Sequence, residues 1–144
     1  MNGTTPRTPT RVVAFLLVLA GLAVGCGEAA ETRPAKWSYI SAAIVQPSCA
    51  TANCHSDLSQ RSGVLLDDMR TGYQQLVGRR FVIPTNAADS ALIGLLKGQG
   101  TRRMPPDFAL PNADIDLISA WITAGATYDG PGQPPAVAAT QETE

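Results

Sequence analysis

The chain has 144 residues, 44% of them hydrophobic and 16% charged, and a formal net charge of −1. That is enough for one globular domain with terminal material to spare. The near-neutral balance, with no basic stripe interleaved with aromatics, excludes a nucleic-acid partner.

The N-terminus sets the compartment. Arg7 and Arg11 precede an apolar or small run over residues 12–25. It is too short for a membrane-spanning helix and suits the apolar region of a signal peptide. The run ends in Leu22-Ala23-Val24-Gly25-Cys26. Small residues before a cysteine resemble a bacterial lipoprotein processing site, with Ala23 where leucine is commoner. The resemblance implies a signal peptide over residues 1–26, with Cys26 lipidated as the new N-terminus. Gly27 follows where an inner-membrane retention signal would have aspartate, so the implied location is the outer membrane, facing the periplasm. The other reading is an ordinary secretory signal cleaved near Cys26. Cleavage takes Arg7 and Arg11 away and leaves nine basic against twelve acidic residues, a formal charge of −3. With Cys26 lipidated, two cysteines remain for other chemistry, Cys49 and Cys54, in a compartment that permits disulfides.

Residues 27–35 read as a flexible tether. Trp37, Ile40 and Ile44 then lie on one face of a helix expected over 36–45. Pro47 should end it, because the residue before a proline avoids helical backbone. Residues 56–62 are a polar loop, and Gly63-Val64-Leu65-Leu66 reads as a buried turn or single strand. Asp67 or Asp68 can cap a helix over 69–77, and Asp89 or Ser90 one over 91–97, which Gly98 and Gly100 stop. Arg102-Arg103-Met104-Pro105-Pro106 is irregular, since two prolines stiffen it. Asn112 or Asp114 caps a last helix to about residue 123, with Ile115, Ile118, Trp121 and Ile122 on its apolar side. Residues 130–144 lack core formers and read as a disordered tail. The folded unit, residues 36–129, is therefore all-α: about four helices joined by long loops. Loops that long need an organiser at their centre.

The chemistry lies in Cys49-Ala50-Thr51-Ala52-Asn53-Cys54-His55, which holds the only histidine. The usual covalent haem attachment sequence is C-x-x-C-H, two residues shorter. Three readings fit. Cys49 and Cys54 could bind the two haem vinyl groups, with His55 on the iron. They could form a disulfide beside an unrelated histidine. Two thiolates and an imidazole could hold a soft metal such as copper or zinc. Haem c iron is often held by histidine and methionine together. Met69 falls in a helical stretch and suits core filling. Met104, on stiff backbone between two helices, suits an axial ligand.

From residue 48 to 126 the chain resembles a class I-type cytochrome c domain. It is most similar to the short cytochrome c-like modules of planctomycete and myxobacterial secreted proteins. The matching pieces are Cys49…Cys54-His55; Gly63-Val64-Leu65-Leu66-Asp67; Val82-Ile83-Pro84 followed by Ser90-Ala91-Leu92; Arg103-Met104-Pro105-Pro106; and Ile115…Leu117-Ile118…Trp121-Ile122…Gly125-Ala126. No piece is specific alone; the five in order are. The longer cysteine spacing is the departure. The resemblance implies a cytochrome c-like fold around one haem, with first and last helices packed together. It also implies one haem c, covalently attached through Cys49 and Cys54, with His55 and Met104 as axial ligands.

Iron held on both faces has no open position for substrate, so the expected role is single-electron transfer rather than catalysis. Asp67-Asp68 and Asp114…Asp116 read as helix starts, not acid–base pairs. The expected partners are a redox protein and, through the lipid anchor, a membrane; the domain is expected to be a monomer. The rival is a haem-free, disulfide-stapled lipoprotein module with a binding or envelope-structural role. Arg79-Arg80 and Arg102-Arg103 could pair with haem propionates or steer an acidic partner, or be solvated loop charge. Tyr73 and Trp121 carry polar tips that could reach a propionate, though packing of Trp121 against Trp37 is the simpler role.

Overall fold

The computed structural model describes residues 31–100 and 102–132. The expected signal peptide, Cys26, residues 27–30 of the tether and the tail from residue 133 lie outside the described residues. The described residues from Thr32 onward belong to one compact unit. Among them every regular element is helical; the one β feature is an isolated bridge between Ile83 and Asn86. None of these helices is long and apolar enough to cross a membrane.

The first helical run has three adjoining parts: α1 (Trp37–Ile40), a π-helical segment (Ser41–Val45) and α2 (Gln46–Cys49). It therefore passes through Pro47, where the sequence predicts a stop. The reason is local. Proline removes an N–H and crowds the carbonyl four residues back. The wider π turn shifts the ladder: Gln46 N–H donates to Ser41 O, five residues back. Pro47 then stands in the first turn of α2, where its missing N–H costs least. Gln46 Nε2 also donates to the buried Ser41 hydroxyl at 3.1 Å, fixing the changeover.

A 3-10 turn (Arg61–Gly63) precedes Val64 and Leu66, which are buried as expected but form no strand. Helix α3 (Met69–Gly78) starts at Asp68, whose carboxylate accepts from Thr71 N–H at 2.8 Å. That bond holds the Asp68 carboxyl below its ordinary range. Helix α4 (Ala91–Lys97) ends at Gly98, in left-handed backbone with φ +67°. A Cβ there would also stand 3.2 Å from the Arg103 side chain, so glycine serves both the turn and the close approach. The Ser90 hydroxyl does not cap α4. It accepts from Ile83 N–H and donates to Asn86 O, organising the preceding loop from a buried position. Helix α5 (Asn112–Thr123) begins after Pro111; Asn112 and Asp114 lie inside its first turn rather than at the cap.

Helix α5 packs on α1 and on α4, and α3 packs on the π-helical segment. At the centre Trp37 and Trp121 stack, centroids 5.1 Å apart, with Tyr73 edge-on to both. Each polar tip is used internally. Trp37 Nε1–H donates to Met69 O, Trp121 Nε1–H to Thr127 O, and Tyr73 O–H to Ala126 O. Such satisfaction is what burial of these side chains requires, and it leaves Tyr73 and Trp121 no donor for a propionate.

Two contacts tie the ends of the unit together. Arg33 pairs with Asp114. Asp129, 91 residues away in sequence, accepts from Ser38 N–H and Ser38 Oγ at 2.7 Å each. Lys36 offers α1 no side-chain cap; Asp129 supplies it from a distance. Both contacts lie at the start of the first helical run, and Cys49 at its finish.

Candidate functional site

The stretch after α2 is tightly bonded. Cys54 N–H donates to Thr51 O, and His55 N–H to Cys49 O at 3.0 Å. The two additional residues are thus taken up in a turn, and His55 returns beside Cys49. His55 O accepts from Leu66 N–H at 2.7 Å, and Cys54 O from Arg61 N–H at 3.0 Å. Both backbone groups of His55 are therefore fixed.

The opposite wall comes from the segment after α4. Met104 N–H donates to Leu95 O at 2.9 Å, a carbonyl in the last turn of α4 that also accepts from Gly98 N–H. The Met104–Pro105 peptide is cis.

Between these walls lie two adjoining pockets of about 230 and 250 Å³. Cys49, His55, Ser62 and Met104 line both, so they form one cleft. The outer pocket adds Ser48, Cys54, Arg61, Arg102, Pro105 and Pro106. The inner one is apolar, adding Val64, Leu66, Leu76, Phe81 and three leucines of α4. All four residues singled out from sequence for a haem, Cys49, Cys54, His55 and Met104, thus face one cleft, although 49 positions separate His55 from Met104. Met69 instead packs against the core.

Sequence reasoning missed Arg61, Ser62 and Phe81 as lining residues. Ser62 gives no signal in sequence: it reaches the cleft through a left-handed backbone turn at φ +58°. Phe81 is held by Leu92 N–H donating to its carbonyl, and Arg79 lies over its ring at 5.5 Å.

Three features define what the cleft can do. His55 Nδ1 is buried and has no hydrogen-bond partner. A buried unsatisfied nitrogen costs about 1–3 kcal/mol and calls for an explanation. Cys49 and Cys54 are thiols, not joined to each other. Burial, and secondarily the neighbouring Cys54, push the Cys49 thiol up to about 11. Among the described residues, no three His, Cys, Asp or Glu side chains form a group able to hold a metal ion.

Arg61 and Arg102 are exposed at the outer pocket and form no side-chain hydrogen bond or ion pair among the described residues. No carboxylate lines either pocket.

The chain matches no protein-family model, no curated protein and no solved structure.

Proposed function

We propose that this protein is a monohaem c-type cytochrome with a cytochrome c-like fold, moving single electrons on the periplasmic side of the cell envelope. The observation that carries the reading is the shared cleft: Cys49, His55 and Met104 line both its apolar inner chamber and its outer pocket, where Cys54 joins them. In this reading Cys49 and Cys54 would hold a haem through thioether links, and His55 and Met104 would hold its iron. A bound haem supplies a one-electron couple, whose potential methionine ligation raises.

The chain's own residues do the rest. The fixed backbone of His55 holds its imidazole toward the cleft, and the bond to Leu95 does the same for Met104. Val64, Leu66, Leu76 and the α4 leucines give the chamber an apolar wall. Cys49 and Cys54 would each add across a vinyl group of the haem, sulfur to one carbon and hydrogen to the other. The packing of α1 on α5 supports the fold assignment, as do Trp37 and Trp121 between them.

The anchor rests on the sequence around Cys26: lipidation there would tether the domain to the outer membrane. The proposed partner is a redox protein and the domain a monomer. The test is an absorption spectrum of protein exported through a haem-maturation system, taken after acid–acetone extraction. Sharp reduced bands that stay with the chain support the reading. A colourless chain without free thiols would replace it with the disulfide-stapled module.

A further inference from the structure

Aromatic residues make up only 6% of this chain, yet four of them meet. Trp37, Trp121, Tyr73 and Tyr128 form one contiguous array. Ring centroids are 5.1 Å apart for Trp37–Trp121, 5.2 Å for Tyr73–Tyr128, 6.0 Å for Trp37–Tyr73 and 6.4 Å for Tyr73–Trp121. Both tryptophans and two of the three tyrosines stand in it; Phe81 and Phe108 do not. Packing alone would accept phenylalanine at position 73, which needs no partner for a buried hydroxyl. Indole and phenol differ from a phenyl ring in how readily they give up one electron.

The two ends of the array are unlike. Trp37 backs onto the cleft. A Cβ placed on Gly72 would stand 3.4 Å from Trp37 Cζ2 and 3.8 Å from the Leu66 side chain, and Leu66 lines the inner chamber. At the other end Tyr128 is half-buried, and its hydroxyl donates to Pro131 O at the surface, at 3.2 Å. The fate of the protons differs as well. A phenol that loses an electron becomes a strong acid and must shed its proton. Tyr73 O–H is buried against Ala126 O, a carbonyl that cannot carry a proton away, and burial pushes its phenol up. Both indole N–H groups also end on backbone carbonyls. Of the four rings, Tyr128 alone has a hydroxyl at the surface, where water can take its proton.

We infer that these four rings form a one-electron relay, which carries an oxidising equivalent from the core behind the inner chamber to the surface at Tyr128. Tyr128 gives up an electron, and its phenolic proton goes to water. The electron crosses Tyr73 and refills an indole radical cation at Trp37 or Trp121. The oxidant that makes the vacancy is a peroxyl radical, which takes one electron and one proton to become a hydroperoxide. The tyrosyl radical takes one electron and one proton from a reductant of the ascorbate class. The sum is one hydrogen atom passed from reductant to peroxyl radical, with the buried indoles left intact. The relay goes beyond electron transfer at the cleft and does not depend on a bound haem.

The test uses the full-length protein. A near-ultraviolet flash absorbed by indole alone ejects an electron from tryptophan, and a scavenger removes that electron. The tryptophanyl absorption then decays as tyrosyl absorption rises, in a first-order step independent of protein concentration. Tyr128→Phe abolishes the rise, Tyr73→Phe slows it, and Tyr39→Phe leaves it unchanged. A nitroso spin trap followed by peptide mapping reads the end point in the parent protein without any substitution, and the adduct is expected at Tyr128. Under peroxyl radicals with ascorbate present, oxidised indole at positions 37 and 121 accumulates faster in Tyr128→Phe than in the parent.

A tyrosyl rise that persists in Tyr128→Phe, or a parent adduct at Tyr73 or Tyr39, overturns the inference. So does an unchanged rate in Tyr73→Phe, or a rate that scales with protein concentration, which marks collision between molecules. Equal indole oxidation in Tyr128→Phe and the parent removes the protective role.

Discussion

Raising the pH should expose how the Cys49 thiol is held. In the haem-free chain its pKa rises from 9.0 to about 11, chiefly through burial and secondarily through Cys54. Two units mean about a hundredfold less thiolate than an ordinary cysteine shows at any pH below 9. Alkylation by iodoacetamide follows the thiolate, so Cys49 in the folded chain should react about a hundredfold more slowly than in urea. Peptide mass spectrometry reads the two cysteines separately. Cys54→Ser should lower the Cys49 pKa only in part, because the larger cause, burial, remains. The same shift carries a stability consequence. The folded pKa lies above the unfolded one, so the contribution is fully present below pH 9. It is lost as pH rises through 9 to 11, by at most about 2 to 3 kcal/mol. A Cys49 rate within about threefold of the urea value below pH 9 would refute the reasoning, because a thiol held in this environment cannot ionise that readily.

Met104→Ala in the haem-loaded protein should abolish the weak near-infrared sulfur-to-iron band and lower the potential, read by spectroelectrochemistry; a variant unchanged in both would remove Met104 from the iron. Trp121→Ala should destabilise the domain by about 3–5 kcal/mol in urea titration, because it empties the stack on Trp37 and leaves Thr127 O without its donor; a loss under about 1 kcal/mol would contradict the packing described. Asp129→Ala should cost about 1 kcal/mol in the same titration through the lost cap on Ser38, and Asp129→Asn should recover part of it.

The helical elements were legible where periodicity and capping agree. Asp68 before α3, the leucines of α4 and the Ile–Trp stripe of α5 predict their helices to within a residue or so. Pro47 misled because Gln46 before it keeps helical backbone, φ −60° and ψ −51°, against the usual preference, while the π turn shifts the hydrogen-bond ladder that a proline would otherwise break. Asp129 as the cap of α1 could not be read, since nothing local joins it to Ser38 across 91 residues. In the cleft, Cys49, Cys54, His55 and Met104 were legible from residue type and spacing. Arg102 drew notice only as part of a charged pair. Arg61, Ser62 and Phe81 were not legible, because left-handed backbone and long-range packing bring them in.

The central claim is covalent haem at Cys49 and Cys54, and intact-protein mass spectrometry under denaturing conditions tests it most directly. The protein should be exported through a haem-maturation system and its mass compared with that of the processed chain. A gain of one haem, retained after denaturation and mapping to the peptide containing Cys49 to His55, is the predicted result. A processed chain lighter by two hydrogens, with no haem retained, would mean a Cys49–Cys54 disulfide and contradict the account.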